Sequence, residues 1–257
     1  MLLRIAYDFA RLYVYDKPEI LGVLLVGSST IGICDELTDL DLLVFTDEQS
    51  VNRRKADGKG YNEEYHMEGV EICVDWQDIE SIERSILAQR DDAYFWSMSN
   101  SKILYDPLGR LHEALAKLKP YPLELKRRKV FKQFYLLRAR VEDMKKCVER
   151  GEHEAASMLV FQALDHLIRL LFLLEGEYLP IEKWRFYEMR RLHVGEKYLP
   201  EIRQILVVSR LEKDELLGKS RAFERIFESI RSRLLELGIP DRWLGEDWWR
   251  YEPDWRV

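Results

Sequence analysis

Polar and apolar positions change rhythm partway along the chain. Up to about residue 120 the apolar residues come mostly in short runs separated by polar turns, the signature of strands mixed with short helices. Residues 23–26 (VLLV) form an unbroken apolar run ending in Gly27-Ser28-Ser29, the pattern of a buried strand entering a turn. A second run spans 40–45 and closes in Thr46-Asp47. Between them, 29–36 is long enough for a short helix, with Ser28 or Ser29 as its N-cap. Residues 51–60 (VNRRKADGKG) are polar and glycine-bearing and predict a surface loop. Residues 61–66 and 70–76 flank Met67-Glu68-Gly69 and predict a hairpin. A helix is expected over 78–90 and a short strand over 102–105. The turn Asp106-Pro107-Leu108-Gly109 then leads into a helix ending near Lys119.

Lys119-Pro120-Tyr121-Pro122 punctuates the chain, and the remainder is almost wholly helical. Helices are expected over 125–150, before Gly151, and over 154–175, before Gly176, with both glycines placed as C-caps. Shorter ones are expected over 181–192 and 198–209, and 220–237 closes the series. The apolar stretch 155–174 carries Asp165, His166 and Arg169 near its centre, so it reads as a buried bundle helix and not a membrane span. The tail, 241–257, holds Trp243, Trp248, Trp249 and Trp255, too many indoles to leave in water, and is expected to pack on the body or on a partner. The expected fold class is therefore α+β. A mixed-sheet domain over 1–120 precedes an all-α bundle over 121–257 that includes the tryptophan-rich tail.

Composition narrows the classes. At 47% hydrophobic and 12% aromatic residues the chain can bury a core, which excludes wholesale disorder. Charged residues reach 33%, above the ~25% norm, a balance that suits a heat-adapted chain. The net charge of −6 is uneven. Residues 1–120 hold 13 Lys and Arg against 22 Asp and Glu, whereas 121–257 hold 27 against 24. An acidic first half argues against a non-specific nucleic-acid binder and favours a surface that gathers cations, either metal ions or amine-bearing substrates. Cys34, Cys73 and Cys147 show no CxxC or zinc spacing and read as reduced thiols. With no signal-peptide pattern in the first residues, a cytoplasmic location is expected.

One constellation carries chemistry. Asp39-Leu40-Asp41-Leu42 opens the second apolar run, and strand alternation sends Asp39 and Asp41 to one side while both leucines enter the core. Adjacent carboxylates resist joint ionisation unless a cation lies between them, and oxygen ligands of this kind suit Mg²⁺. Gly27 lets the backbone approach closely, and Ser28 together with a helix start offers a cradle for phosphate. A third carboxylate comes from 70–76 (VEICVDW), where Glu71, Cys73 and Asp75 share a face. Either Glu71 or Asp75 could join the metal or take a proton from an attacking hydroxyl. Cys73 on that face reads as an inert thiol. His66, His166 and His193 lack ligand spacing, and Trp184 and Tyr187 read as core aromatics.

The sequence GSST-IGICDELT-DLDLLVF resembles the signature of the polymerase-β-like nucleotidyltransferase superfamily, and in particular its aminoglycoside-nucleotidyltransferase-like branch. The family often has Ser before its first Asp, where this chain has Thr38 and keeps the hydroxyl. Residues 178–184 (YLPIEKW) are similar to a Tyr/Pro/Lys-Trp segment of some of the helical domains in that branch. The resemblance implies Mg²⁺ held by Asp39 and Asp41, with Glu71 rather than Asp75 as the third catalytic and metal-binding carboxylate. It also implies Gly27 and Ser28 around the phosphates of ATP or another NTP, joined by Lys183. The reaction implied is transfer of a nucleoside monophosphate to a hydroxyl of a small acceptor, aminosugar-like where acidic walls favour a cation. Two other readings remain open: a protein adenylyltransferase or antitoxin acting on a partner chain, and a nucleotide-binding module without catalysis.

Overall fold

The computed structural model describes residues 1–14, 16–36, 38–87 and 92–245. The chain divides into two compact units, Met1–Pro120 and Tyr121–Val257. In the first unit, α1 (Leu2–Val14), which the run pattern did not suggest, precedes β1 (Gly22–Val26). A 3₁₀ turn (Ser28–Ile31) leads to β2 (Leu40–Thr46), and α2 (Glu48–Ala56) to the hairpin of β3 (Asn62–Met67) and β4 (Val70–Asp78). Next come α3 (Ser81–Leu87), α4 (Asp92–Ser99), β5 (Lys102–Tyr105) and α5 (Arg110–Ala116).

The five strands form one sheet in the order β3-β4-β2-β1-β5. β2 and β4 run parallel, and the other neighbours antiparallel. Buried residues of α1 (Ile5, Ala6, Phe9, Ala10 and Tyr13) recur at helical spacing and cover one face of the sheet. There they meet Val23 and Leu25 of β1, Leu40, Leu42 and Val44 of β2, and Ile72, Val74 and Trp76 of β4. This apolar face fixes the strand register, because a slip of one residue would turn Asp41 and Cys73 into the core.

Residues 51–60 depart from the expected loop. Most of that span belongs to α2, which buries none of its residues. Local chemistry holds it instead. The Asp47 side chain caps the helix by accepting from the Ser50 amide at 2.7 Å, Glu48 sits in the first turn, and Arg53, Arg54 and Lys55 sit in the last. Arg54 also lies over the Trp76 ring at 3.9 Å and pairs with Glu63, tying α2 to the sheet.

The second unit holds α6 (Leu123–Glu149), α7 (His153–Glu175), α8 (Glu182–Met189), α9 (His193–Leu206), α10 (Lys213–Glu236) and α11 (Asp241–Leu244). α6 and α7 form a helical hairpin around Gly151, whose φ of 80° suits the short reversal. Among the described residues α7 is the one helix long and apolar enough to cross a membrane. Its buried side chains, from Ala156 to Leu174, build the core of this unit. At its C-terminus the Leu174 carbonyl accepts from Lys126 Nζ (3.2 Å) and Arg233 Nη2 (2.8 Å), cations at the negative end of the helix. α9 begins earlier than expected and includes Gly195, where a Cβ would fall 1.5 Å from the Met189 carbonyl oxygen. Trp243 belongs to α11; the tail residues Trp248, Trp249 and Trp255 lie outside the described residues. The α+β class expected from the sequence is the class observed.

Candidate active and metal-binding site

The site forms where β1 ends and β2 and β4 begin. β1 and β2 pair with Val26 opposite Asp41, so the turn leaving Val26 starts beside that carboxylate. Gly27 has φ 80° and ψ −161°, a conformation essentially confined to glycine. A Cβ at this position would stand 2.3 Å from Asp41 Oδ2. The carboxylate therefore occupies the space any other side chain would need.

The chain then makes a 3₁₀ turn over Ser28–Ile31 in place of the α-helix expected over 29–36. Gly32, at φ 90°, ends it after four residues. The N-cap position belongs to Gly27, so neither Ser28 nor Ser29 caps with its side chain. A turn this short still leaves its first N–H groups without partners inside it. Ser28 is buried, and the Ser29 hydroxyl is a buried oxygen with no hydrogen-bond partner within the protein. Further on, Thr38 Oγ1 accepts from the Asp35 amide (3.0 Å) and donates to Asp35 Oδ1 (2.9 Å), folding the loop that delivers Asp39.

Asp39 and Asp41 leave the chain on the side away from α1, while Leu40 and Leu42 are buried on the other. The parallel register of β2 and β4 sets Cys73 opposite Asp41. One donor atom from each of Asp39, Asp41 and Cys73 lies within 4.8 Å of the other two. Cys73 Sγ also points to Glu71 Oε1 at 3.8 Å. Burial, then the charges of Asp41, Asp39, Glu71 and Glu64, push the Cys73 thiol up to about 11. In the absence of a metal ion the thiol is protonated at neutral pH.

Glu71 lines a cleft of about 1130 Å³ with Ser29, Thr38, Asp39, His66 and Lys102. Asp35, Glu36 and Glu68 add to an acidic wall, although Glu68 is engaged by Arg4 at 2.5 Å. Asp75 shares the face but stands opposite Leu43, two residues (about 7 Å) beyond Cys73 on the side away from Glu71, and is not among the residues lining the cleft. Burial holds its carboxyl above the ordinary carboxylate range. Of the two candidates for third carboxylate, only Glu71 lines the cleft together with Asp39.

Lys183 is exposed on α8 in the second unit, its Nζ 5.3 Å from the Trp184 ring centre. Trp184 and Tyr187 are half-buried and meet edge to face. Sequence reasoning missed Lys102, Ser29 and the place of Cys73 as third donor. Alternation had put Cys73 on the carboxylate face. Its position opposite Asp41 depends on the β2–β4 register, for which the sequence carries no local signal.

The donor set fits a divalent cation. Two carboxylates offset by one strand pleat, with the Gly27 surface closing one side, suit Mg²⁺, which commonly takes one or two carboxylates and fills its shell with water and phosphate oxygens.

The chain is similar to a solved nucleotidyltransferase-like protein from Exiguobacterium sibiricum 255-15. The TM-score is 0.55 at 18% identity, over 92% of this chain and 78% of that one. The likeness is one of fold, and the fold of this chain is nucleotidyltransferase-like. A family model described as a domain of unknown function (DUF4037) matches residues 89–185, a span that begins after Asp39, Asp41 and Glu71. No curated protein matches the chain.

Proposed function

We propose that the chain is a magnesium-dependent nucleotidyltransferase that moves a nucleoside monophosphate, AMP from ATP in the first instance, to a hydroxyl of a small cationic acceptor. The observation that carries this reading is the convergence of the Asp39 and Asp41 carboxylates beside the glycine-confined backbone of Gly27 and a turn that leaves the buried Ser29 hydroxyl unpaired. A nucleotidyltransferase-like fold supports it.

Asp39 and Asp41 would hold the ion, which when bound neutralises charge on the attacking and leaving oxygens. The Ser29 hydroxyl and the first amides of the 3₁₀ turn receive phosphate oxygens. Lys102 brings a positive charge to the same cleft. Glu71 accepts the proton of the acceptor hydroxyl as that oxygen attacks the α-phosphorus. The bond from the α-phosphorus to its bridging oxygen breaks, and pyrophosphate leaves with the electron pair. Asp35 and Glu36 on the wall favour an acceptor bearing amines. Lys183 is assigned no step.

The test offers α-labelled NTPs and Mg²⁺ to the pure protein with a panel of aminosugars and nucleosides, and then with cell extract. Label is expected on a small molecule, with transfer reduced by about 10² or more in Asp39→Asn. Label on a protein alone would replace the small acceptor with a macromolecular one. Equal transfer by the parent and Asp39→Asn would remove that carboxylate from the reaction.

A further inference from the structure

We propose that Asp39, Asp41 and Cys73 form a three-donor site for a thiophilic divalent cation of the zinc class, with the Cys73 sulfur as a direct ligand. This inference deepens the nucleotidyl-transfer reading and rests on it, since the same two aspartates serve both ions.

The strands themselves point to it. Parallel pairing sets Cys73 directly across from Asp41, and the two-residue spacing of Asp39 brings its carboxylate to the same face. The three donor atoms lie within 4.8 Å of one another before any ion draws them together. Around a tetrahedral zinc, bonds of about 2.0 Å to oxygen and 2.3 Å to sulfur place donors roughly 3.3–3.8 Å apart. Closing that gap asks for about an ångström of side-chain adjustment.

Donor chemistry then decides which ion. Mg²⁺ takes oxygen ligands and would leave the sulfur outside its shell. Zinc, cobalt and cadmium accept a thiolate, and a set of one sulfur and two carboxylates ranks them above magnesium. Three protein ligands leave a fourth position open to water. The Cys73 proton passes to solvent as the sulfur–metal bond forms.

The sulfur has no place in the apolar core of the sheet. The apolar positions of β4 are Ile72, Val74 and Trp76, at most 3% exposed and turned toward α1. Cys73 is half-buried on the opposite face among carboxylates, with Glu71 Oε1 at 3.8 Å. A residue there for apolar packing alone would stand in the other row. The expected consequence is competition: a zinc-class ion displaces magnesium from the aspartates and arrests transfer, making Cys73 a determinant of metal selectivity.

The experiment titrates Co²⁺ into the metal-free full-length protein, following thiolate-to-cobalt charge-transfer absorption. Mn²⁺ is titrated in parallel by electron paramagnetic resonance. The parent is expected to show the sulfur band, to lose it on adding one equivalent of Zn²⁺, and to bind Mn²⁺ at the same site. Cys73→Ser should lose the band and bind Zn²⁺ at least tenfold more weakly, while retaining Mn²⁺ binding as proof that it is folded. Co²⁺ binding without the band overturns the proposal, as does unchanged Zn²⁺ affinity in Cys73→Ser. Either result with Mn²⁺ binding intact leaves the nucleotidyl-transfer reading standing, whereas a parent that binds neither Mn²⁺ nor Co²⁺ removes both.

Discussion

Replacing Gly27 with alanine is the sharpest probe of how the backbone and the carboxylates depend on each other. Two penalties arise. The first is conformational: φ 80° with ψ −161° is essentially closed to side-chain-bearing residues, and forcing one there costs about 1–3 kcal/mol. The second is steric. The new Cβ would sit 2.3 Å from Asp41 Oδ2, about 1 Å inside ordinary contact, so the carboxylate or the turn must move. Gly32→Ala separates the two, because Gly32 also has positive φ, at 90°, yet a Cβ there meets nothing within 4 Å. Both variants should melt lower, by roughly 2–4 °C for each kcal/mol lost in a chain of this size. Gly27→Ala alone should lose Mn²⁺ binding by at least about tenfold, an effect of ~1.4 kcal/mol or more. Thermal melts with and without Mn²⁺, paired with Mn²⁺ titrations, read both quantities. If Gly27→Ala binds Mn²⁺ as tightly as Gly32→Ala, Asp41 does not depend on the space that Gly27 leaves open.

Three further outcomes are expected. Glu63 accepts from Tyr13, Arg54 and Tyr65, and although burial opposes ionisation, these bonds hold its carboxyl at about 2, below its ordinary 4.5. A depressed carboxylate contributes stability that is present above pH ~4.5 and lost as pH falls toward 2. The shift corresponds to about 3 kcal/mol, and solvent screening at this partly exposed site reduces it to ~1–2. Glu63→Gln should therefore flatten the acid limb of a melting-temperature profile between pH 5 and 2, and an unchanged limb would discharge the residue from that role. Glu71→Gln should lower labelled-nucleotide transfer by about 10² or more while Asp75→Asn stays near the parent, and the reverse order would make Asp75 the third carboxylate. Arg185 is buried in the second unit and donates to Asp165 (2.5 Å), Glu182 (2.6 Å) and the Pro180 carbonyl (3.3 Å). Arg185→Met should destabilise the protein by roughly 2–3 kcal/mol in urea unfolding, less than a wholly buried pair because Arg169 still pairs with Asp165.

How much of this was legible beforehand depends on the range over which each signal acts. Asp39 and Asp41 could be read because a strand alternates with period two and the flanking leucines declare which side is core, all within four residues. Gly176 as the end of α7 is equally local, a left-handed residue after the last apolar position. α2 was misread for the opposite reason. Its apolar content is negligible, so periodicity said loop, while the Asp47 cap and the ordering of its charges, plus Arg54 lying on Trp76 more than twenty residues away, held a helix. The third donor belongs to the same category. Cys73 meets Asp41 only because β4 adds to β2 in parallel with that register, which is set by Ile72, Val74 and Trp76 fitting under α1. The apolar row of β4 thus selects which polar side chain faces the aspartates. A shift of β4 by two residues would keep the core row buried and put Glu71 or Asp75 opposite Asp41 in place of sulfur. On the zinc-class proposal, the metal preference of the site would follow from core packing on the other side of the sheet. Substitutions in that apolar row, Ile72 above all, should therefore alter metal selectivity without touching a ligand.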